Sequence, residues 1–115
     1  MAIVIYHNPR CTKSRETMQL LEKKGVKPQV IEYLKTPPSA SELKALIEKM
    51  GITPRDLLRK GEEPYKSLKL SDKTLSDTAL IKAMADNPIL IERPIVVNGK
   101  KAALGRPPEN VLKVL

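Results

Sequence analysis

Apolar spacing changes period several times along this chain, and each change marks an element. The run Ile3–Tyr6 predicts a buried strand, broken at His7-Asn8-Pro9. A helical pattern opens near Ser14 and continues to about Lys24, where Gly25 supplies the stop. "QVIEY", residues 29–33, predicts a second strand. Strand, helix and strand at this spacing form a right-handed βαβ unit with parallel strands.

The pattern then becomes helical without interruption. "PPSASELKALIEKMG" carries a capping box, Ser39 with Glu42, and places Leu43, Leu46, Ile47 and Met50 on one helix face before Gly51. "TPRDLLRKG" starts a shorter helix with Thr53 as cap and Pro54 in its first turn. "LSDTALIKAMADNP" starts another, capped by Ser76. Period-two signals resume only at "PIVVNGKKAAL". There Ile95–Val97 and Lys100–Leu104 flank Asn98-Gly99, which predicts a hairpin with a type I′ turn. A final helix is expected from about Pro108. The skeleton is βαβ, a helical insertion over about 39–88, then ββα. With no linker, repeat or low-complexity stretch, residues 1–115 are expected to form a single domain. The expected fold is α/β and thioredoxin-like, a small mixed sheet flanked by helices.

Composition narrows the class of function. The 115 residues include neither Phe nor Trp, so the core must come from Leu, Ile, Val and Met. No apolar stretch reaches the roughly 20 residues of a membrane span, and the N-terminus lacks the basic flank of a secretory signal. A cytoplasmic protein without membrane contact is expected. One cysteine fits that compartment, since no intrachain disulfide can form. The 21 basic and 13 acidic residues give a net charge of +8. Much of this is Lys alternating with Glu on helix faces, and aromatic residues to stack on bases are nearly absent. Nucleic acid is therefore disfavoured. An anionic substrate or an acidic protein partner needs the same charge and fewer special features.

The lone Cys11 is the chemical centre of interest. Free cysteines usually pack as small hydrophobes, but Cys11 lies outside the apolar run, among Arg10, Thr12, Lys13 and Arg15. A helix N-terminus and cationic neighbours are the features that lower a thiol pKa. A shift from about 8.5 to about 6.5 raises the thiolate population at pH 7 roughly 25-fold. The weaker nucleophile gives back roughly eightfold, leaving about threefold. Activation alone is a small effect. Donors that neutralise an anionic substrate's oxygens can each give about 10²–10³ in rate.

Three arginines are candidates for that role: Arg59 before a glycine, Arg93 before Pro94 at a strand entry, and Arg106 in "LGRPPE". Their forked donors match tetrahedral oxyanions. Each could equally be a surface arginine or the partner of a nearby Glu. His7 could tune Cys11, bond the loop, or simply end the strand; a supporting role is expected. Other chemistries fit less well. The C-x5-R cradle of phosphatases is absent, as is the C-x-x-C of dithiol oxidoreductases, and one Cys with one His makes no metal site. Cys11 and Ser14 leave a C-x-x-S, a thiol that can form an adduct but needs another thiol to release it.

"IYHNPRCTKSRET", "LLRKGEEPY", "NPILIERPIVV" and "LGRPPE" together resemble the glutaredoxin-linked arsenate reductase family, in order and spacing over essentially the whole chain. The resemblance implies that Cys11 attacks arsenate, that glutathione joins the adduct as co-substrate, and that glutaredoxin reduces the mixed species so that arsenite leaves. No bound cofactor or metal is implied. Arg59, Arg93 and Arg106 match the family's anion-binding arginines, and Pro94 its cis-proline beside the Cys loop. His7 and Ser14 fall where they would tune the thiolate. Cys11-Thr12-Lys13-Ser14 differs from the C-G-T-S of the best-characterised branch and looks more like the chromosomal arsenate-reductase-like branch. Two rival functions share the fold: a thiol reductase or deglutathionylating enzyme with another substrate, and a non-enzymatic regulator that binds RNA polymerase. The regulators usually carry C-x-x-C.

Overall fold

The N-terminal apolar run does form a strand. A computed structural model describes residues 3–115, and in it the chain makes two compact units, one of residues up to 36 with 93–115 and one of residues 37–92.

The first unit holds β1 (Ile3–His7), α1 (Thr12–Lys23) and β2 (Gln29–Glu32). The strand β1 runs one residue further than the apolar pattern suggests, because His7 pairs with Glu32 in the parallel β1–β2 ladder. The helix α1 starts two residues earlier than expected. Cys11 is its N-cap, and its carbonyl already accepts from the Arg15 N–H at 3.0 Å. The thiol residue therefore belongs to the helix terminus itself.

The second unit contains α2 (Ala40–Met50), α3 (Pro54–Leu57), α4 (Glu63–Ser67) and α5 (Asp77–Asp86). The capping box of Ser39 and Glu42 forms, as do the Thr53 and Ser76 caps. Buried Leu43, Leu46, Ile47, Leu57, Leu80 and Met84 fill the space where α2 and α3 pack on α5. Two features were not legible in the pattern. One is α4, too short to show a period. The other is an antiparallel bridge between Leu58 and Ile91, which ends α3 after a single turn and draws Arg59 into an extended segment.

The chain returns to the first unit with β3 (Ile95–Asn98) and β4 (Lys101–Leu104). The hairpin forms, but its loop is Gly99-Lys100 rather than Asn98-Gly99, with Asn98 opposite Lys101. Gly99 has φ 62°, and Lys69 is the non-glycine residue with positive φ among those described. A type I′ turn needs two positive φ values, so one at the first central glycine fits type II′. The last segment, Pro108–Val114, is a 3₁₀ helix rather than an α-helix. It packs on β4 and α1, and the Asn98 Nδ2 donates to the Val114 carbonyl at 2.6 Å.

The sheet order is β2-β1-β3-β4, with β1 parallel to β2 and antiparallel to β3. With α1 and the C-terminal 3₁₀ helix on it, this mixed sheet is thioredoxin-like. Ile5, Leu21, Val96, Val111 and Val114 form its core. Each fully buried aliphatic side chain of this kind stabilises by about 1.5–3 kcal/mol. The strand directions bring four chain segments to one end of the sheet. They are the exits of β1, β2 and β4 and the entry of β3. The segments carry His7 to Cys11, residues 33–35, Arg106, and Arg93-Pro94.

Candidate active site

Cys11 is half-buried at the start of α1, and its N–H donates to the Asn8 carbonyl at 3.0 Å. The Asn8 side chain folds back to accept from the Arg10 N–H at 3.1 Å, an Asx turn that shapes the loop. The Arg106 Nη2 lies 3.5 Å from the Cys11 sulfur. The Arg106 Nε donates to the Arg93 carbonyl at 2.8 Å, so the two arginine-bearing segments are tied directly together. The Arg93 guanidinium also hydrogen-bonds the thiol, and its Nε and Nη1 are buried.

These neighbours decide the ionisation of Cys11. Burial pushes the thiol up, and this is the largest single influence. Against it act the Ser14 N–H, the hydrogen bond from Arg93, and the charges of Arg93 and Arg106. Together they outweigh burial and hold the thiol below its ordinary value. The Ser14 N–H acts here although the sulfur closes no formal cap hydrogen bond. Two cations beside this thiol are chemically matched to an oxyanion, since each guanidinium offers several donors.

Ser14 is fully buried on the inner face of α1. Its hydroxyl lies 2.6 Å from the His7 Nδ1 and accepts from the Asn8 N–H at 3.1 Å. Burial pulls His7 below its ordinary pKa, opposed by the charge of Glu32. A neutral ring that accepts from the Ser14 hydroxyl carries its proton on Nε2, an assignment made from this network. His7 and Ser14 thus brace the loop on which Cys11 sits.

The Arg93-Pro94 peptide is cis, as expected for the cis-proline position, and Arg106-Pro107 is cis as well. The Gly105 N–H donates to the Pro94 carbonyl at 2.9 Å. A Cβ on Gly105 would stand 2.5 Å from the Thr17 Oγ1 and 2.7 Å from the Pro94 Cγ, so glycine lets these segments meet. Asn8, Thr17 and Gly105 were not singled out in the sequence. The Asn-Pro dipeptide was a usable signal for the first, but nothing local marks the other two.

Of the expected residues, the first unit brings together Cys11, Arg93, Arg106, His7, Ser14 and Pro94. Arg59 belongs to the second unit. There its N–H donates to the Leu90 carbonyl at 2.8 Å, and its side chain meets two carboxylates. The Glu92 oxygen accepts from Nη1 at 2.6 Å and the Glu62 oxygen from Nε at 3.1 Å. Burial lowers its pKa and the two carboxylates raise it, with a net rise. The pairing with a nearby Glu considered from the sequence is what this arginine does in the structure. Among the described residues, no group of three His, Cys, Asp or Glu side chains could hold a metal ion. No helix among them is long and apolar enough to cross a membrane.

Comparison with known proteins adds a family. The sequence model of the ArsC family matches residues 6–114. The uncharacterized protein YfgD of Escherichia coli K12 is 54% identical over 114 residues, covering 98% of this chain and 96% of that protein. A Haemophilus influenzae protein named arsenate reductase is 50% identical over 116 residues, covering all of both. Among solved structures, the arsenate reductase from Vibrio cholerae superposes with a TM-score of 0.96 at 57% identity, covering 100% of this chain and 98% of that one.

Proposed function

This chain belongs to the ArsC family, and from that footing we propose that it is an arsenate reductase in the cytoplasm that draws electrons from glutathione and glutaredoxin. The observation that carries the reading is the Cys11 sulfur, held toward thiolate at a helix N-terminus with Arg106 at 3.5 Å and Arg93 hydrogen-bonded to it.

Arsenate enters beside the two arginines, which neutralise its oxygens and leave the arsenic facing the sulfur. The Cys11 thiolate forms the S–As bond, an As–O bond breaks, and the oxygen leaves as water after taking up protons. Charge that builds on the remaining oxygens meets donors already in place, which is where most of the rate gain arises.

The adduct still holds arsenic(V), and the chain has no second cysteine to reduce it. External thiols supply the two electrons. Glutathione joins the arsenic and releases water; a glutaredoxin thiolate then attacks the glutathione sulfur. The S–As electron pair stays on arsenic, which becomes arsenic(III), and hydrolysis frees arsenite and Cys11. Arsenic acid and two thiols thus give arsenous acid, a disulfide and water.

The test is arsenite production from arsenate with glutathione and glutaredoxin, comparing the natural chain with Cys11→Ser. Turnover that vanishes with the sulfur supports the reading. Folded protein with a titratable thiolate and no turnover of arsenate would refute it. A Cys11-dependent turnover of glutathionylated disulfides would then point to a thiol reductase.

A further inference from the structure

A second groove adjoins the thiol loop, on the side away from the arginines. The sheet order explains its place. Arg93 leads into β3 and Arg106 follows β4, the thiol loop follows β1, and the segment after β2 lies on the other flank. Between the thiol loop and that segment is a cleft of about 360 Å³, lined by Pro9 and Arg10 on one wall and Glu32, Leu34 and Lys35 on the other. The volume falls within the range of small-ligand sites, roughly 300–1,000 Å³.

The charges in this cleft form a pattern: two cations, Arg10 and Lys35, and one carboxylate, Glu32. The Glu32–Lys35 pair is 3.7 Å apart, with the Lys35 side chain largely in water and that of Glu32 partly so, and such a pair holds neither group strongly. Leu34 is 41% exposed and offers an apolar surface between them. The complementary ligand has two carboxylates, one ammonium group and a short apolar stretch. Arg10 in the cleft wall is the chain neighbour of Cys11, a cysteine that needs another thiol for its release, so that ligand should also carry sulfur.

We propose that this groove binds a zwitterionic peptide thiol of the glutathione class, and that Arg10, Lys35 and Glu32 select it. The inference rests on the reductase reading for its use and on the groove for its place. The ligand's two carboxylates face Arg10 and Lys35, and its ammonium faces Glu32. Its thiol then meets the Cys11 adduct from the flank opposite Arg93 and Arg106. One sulfur–arsenic bond forms there, one arsenic–oxygen bond breaks, and water leaves with no change in oxidation state. The arginines need not move to admit it.

The experiment has a binding arm and a kinetic arm. Unreactive S-methylglutathione is titrated into the natural chain and into Arg10→Glu, Lys35→Glu and Glu32→Gln, following amide shifts by NMR. Shifts centred on residues 7–10 and 32–35 are expected, with affinity falling about 3- to 10-fold per variant. In arsenate turnover the same variants should raise the glutathione KM by similar factors and leave the arsenate KM unchanged. Rates with mercaptoethanol, which has no charges to recognise, should not move. Equal losses with both thiols would mean that these residues only support the loop, overturning the inference. Shifts elsewhere, or none, would overturn it too. Binding in the groove without any arsenate turnover would keep the inference on binding and sink the reductase reading instead.

Discussion

Replacing Arg106 separates two things an active-site cation can do. Its Nη2 is 3.5 Å from the Cys11 sulfur. A unit charge at that distance interacts by about 1 kcal/mol in a water-like medium and about 5 kcal/mol at an effective dielectric of 20. Cys11 is only half-buried, so the lower end applies, and about 1.5 kcal/mol, or one pKa unit, is a reasonable discounted figure. Arg106→Gln should therefore raise the thiol pKa by about one unit. The lost thiolate costs at most about tenfold in population, and the more basic sulfur recovers about threefold, so alkylation by iodoacetamide at neutral pH should slow only about threefold. Arsenate turnover should fall much further, by about 10²-fold, because the charge developing on the substrate oxygens also loses a donor. Arg106→Lys is the control: it keeps the charge near the sulfur but loses the fork and the bond to the Arg93 carbonyl. Its thiol pKa should move by less than half a unit while arsenate turnover still drops. The assays are ultraviolet thiolate titration, alkylation rate and arsenite production on the same preparations. If alkylation and arsenate turnover fall by the same factor, Arg106 acts through the thiol alone and the anion-binding argument is wrong.

Two further predictions concern the groups behind the thiol. Ser14→Ala removes a buried hydroxyl that serves the His7 Nδ1 and the Asn8 N–H; leaving both without it should cost about 2–3 kcal/mol in a urea unfolding curve. The thiol pKa should shift by less than half a unit, because the backbone N–H remains, and a shift of a full unit with stability intact would reverse the assignment. The folded pKa of His7 lies below its ordinary 6.5, so the unfolded chain binds the proton more readily. Stability should thus rise with pH between the lowered folded value and 6.5, and be lost as pH falls through that window. His7→Asn, which keeps an acceptor but does not titrate, should flatten that slope in denaturant titrations across the window, and an unchanged slope would assign the linkage to another group.

What could be seen in the sequence, and what could not, divides along the range of the interactions. Caps, glycine stops, strand pairs and the strand–Cys–helix turn are local, and each was visible: Ser39 with Glu42, Gly51, Cys11 after β1. The hairpin turn slipped by one residue because Asn98 pairs across to Lys101, a cross-strand choice that the dipeptide does not encode. Arg59 shows the limit more sharply. Its nearer partner, Glu62, is three residues away and could have been guessed, whereas Glu92 is 33 residues away and reaches it through the Leu58–Ile91 bridge. Cys11 and Arg106 are 95 residues apart and meet because β3 and β4 run antiparallel to bring both segments to one end of the sheet. Motif spacing named these residues as candidates, but only the strand order makes their meeting necessary. The same order sets Glu32 and Lys35 on the opposite flank of the thiol loop, at residues no motif singled out. On the proposed reading, the two arginines hold the anion on one flank of the thiol loop while a second thiol arrives by way of the mixed-charge cleft on the other.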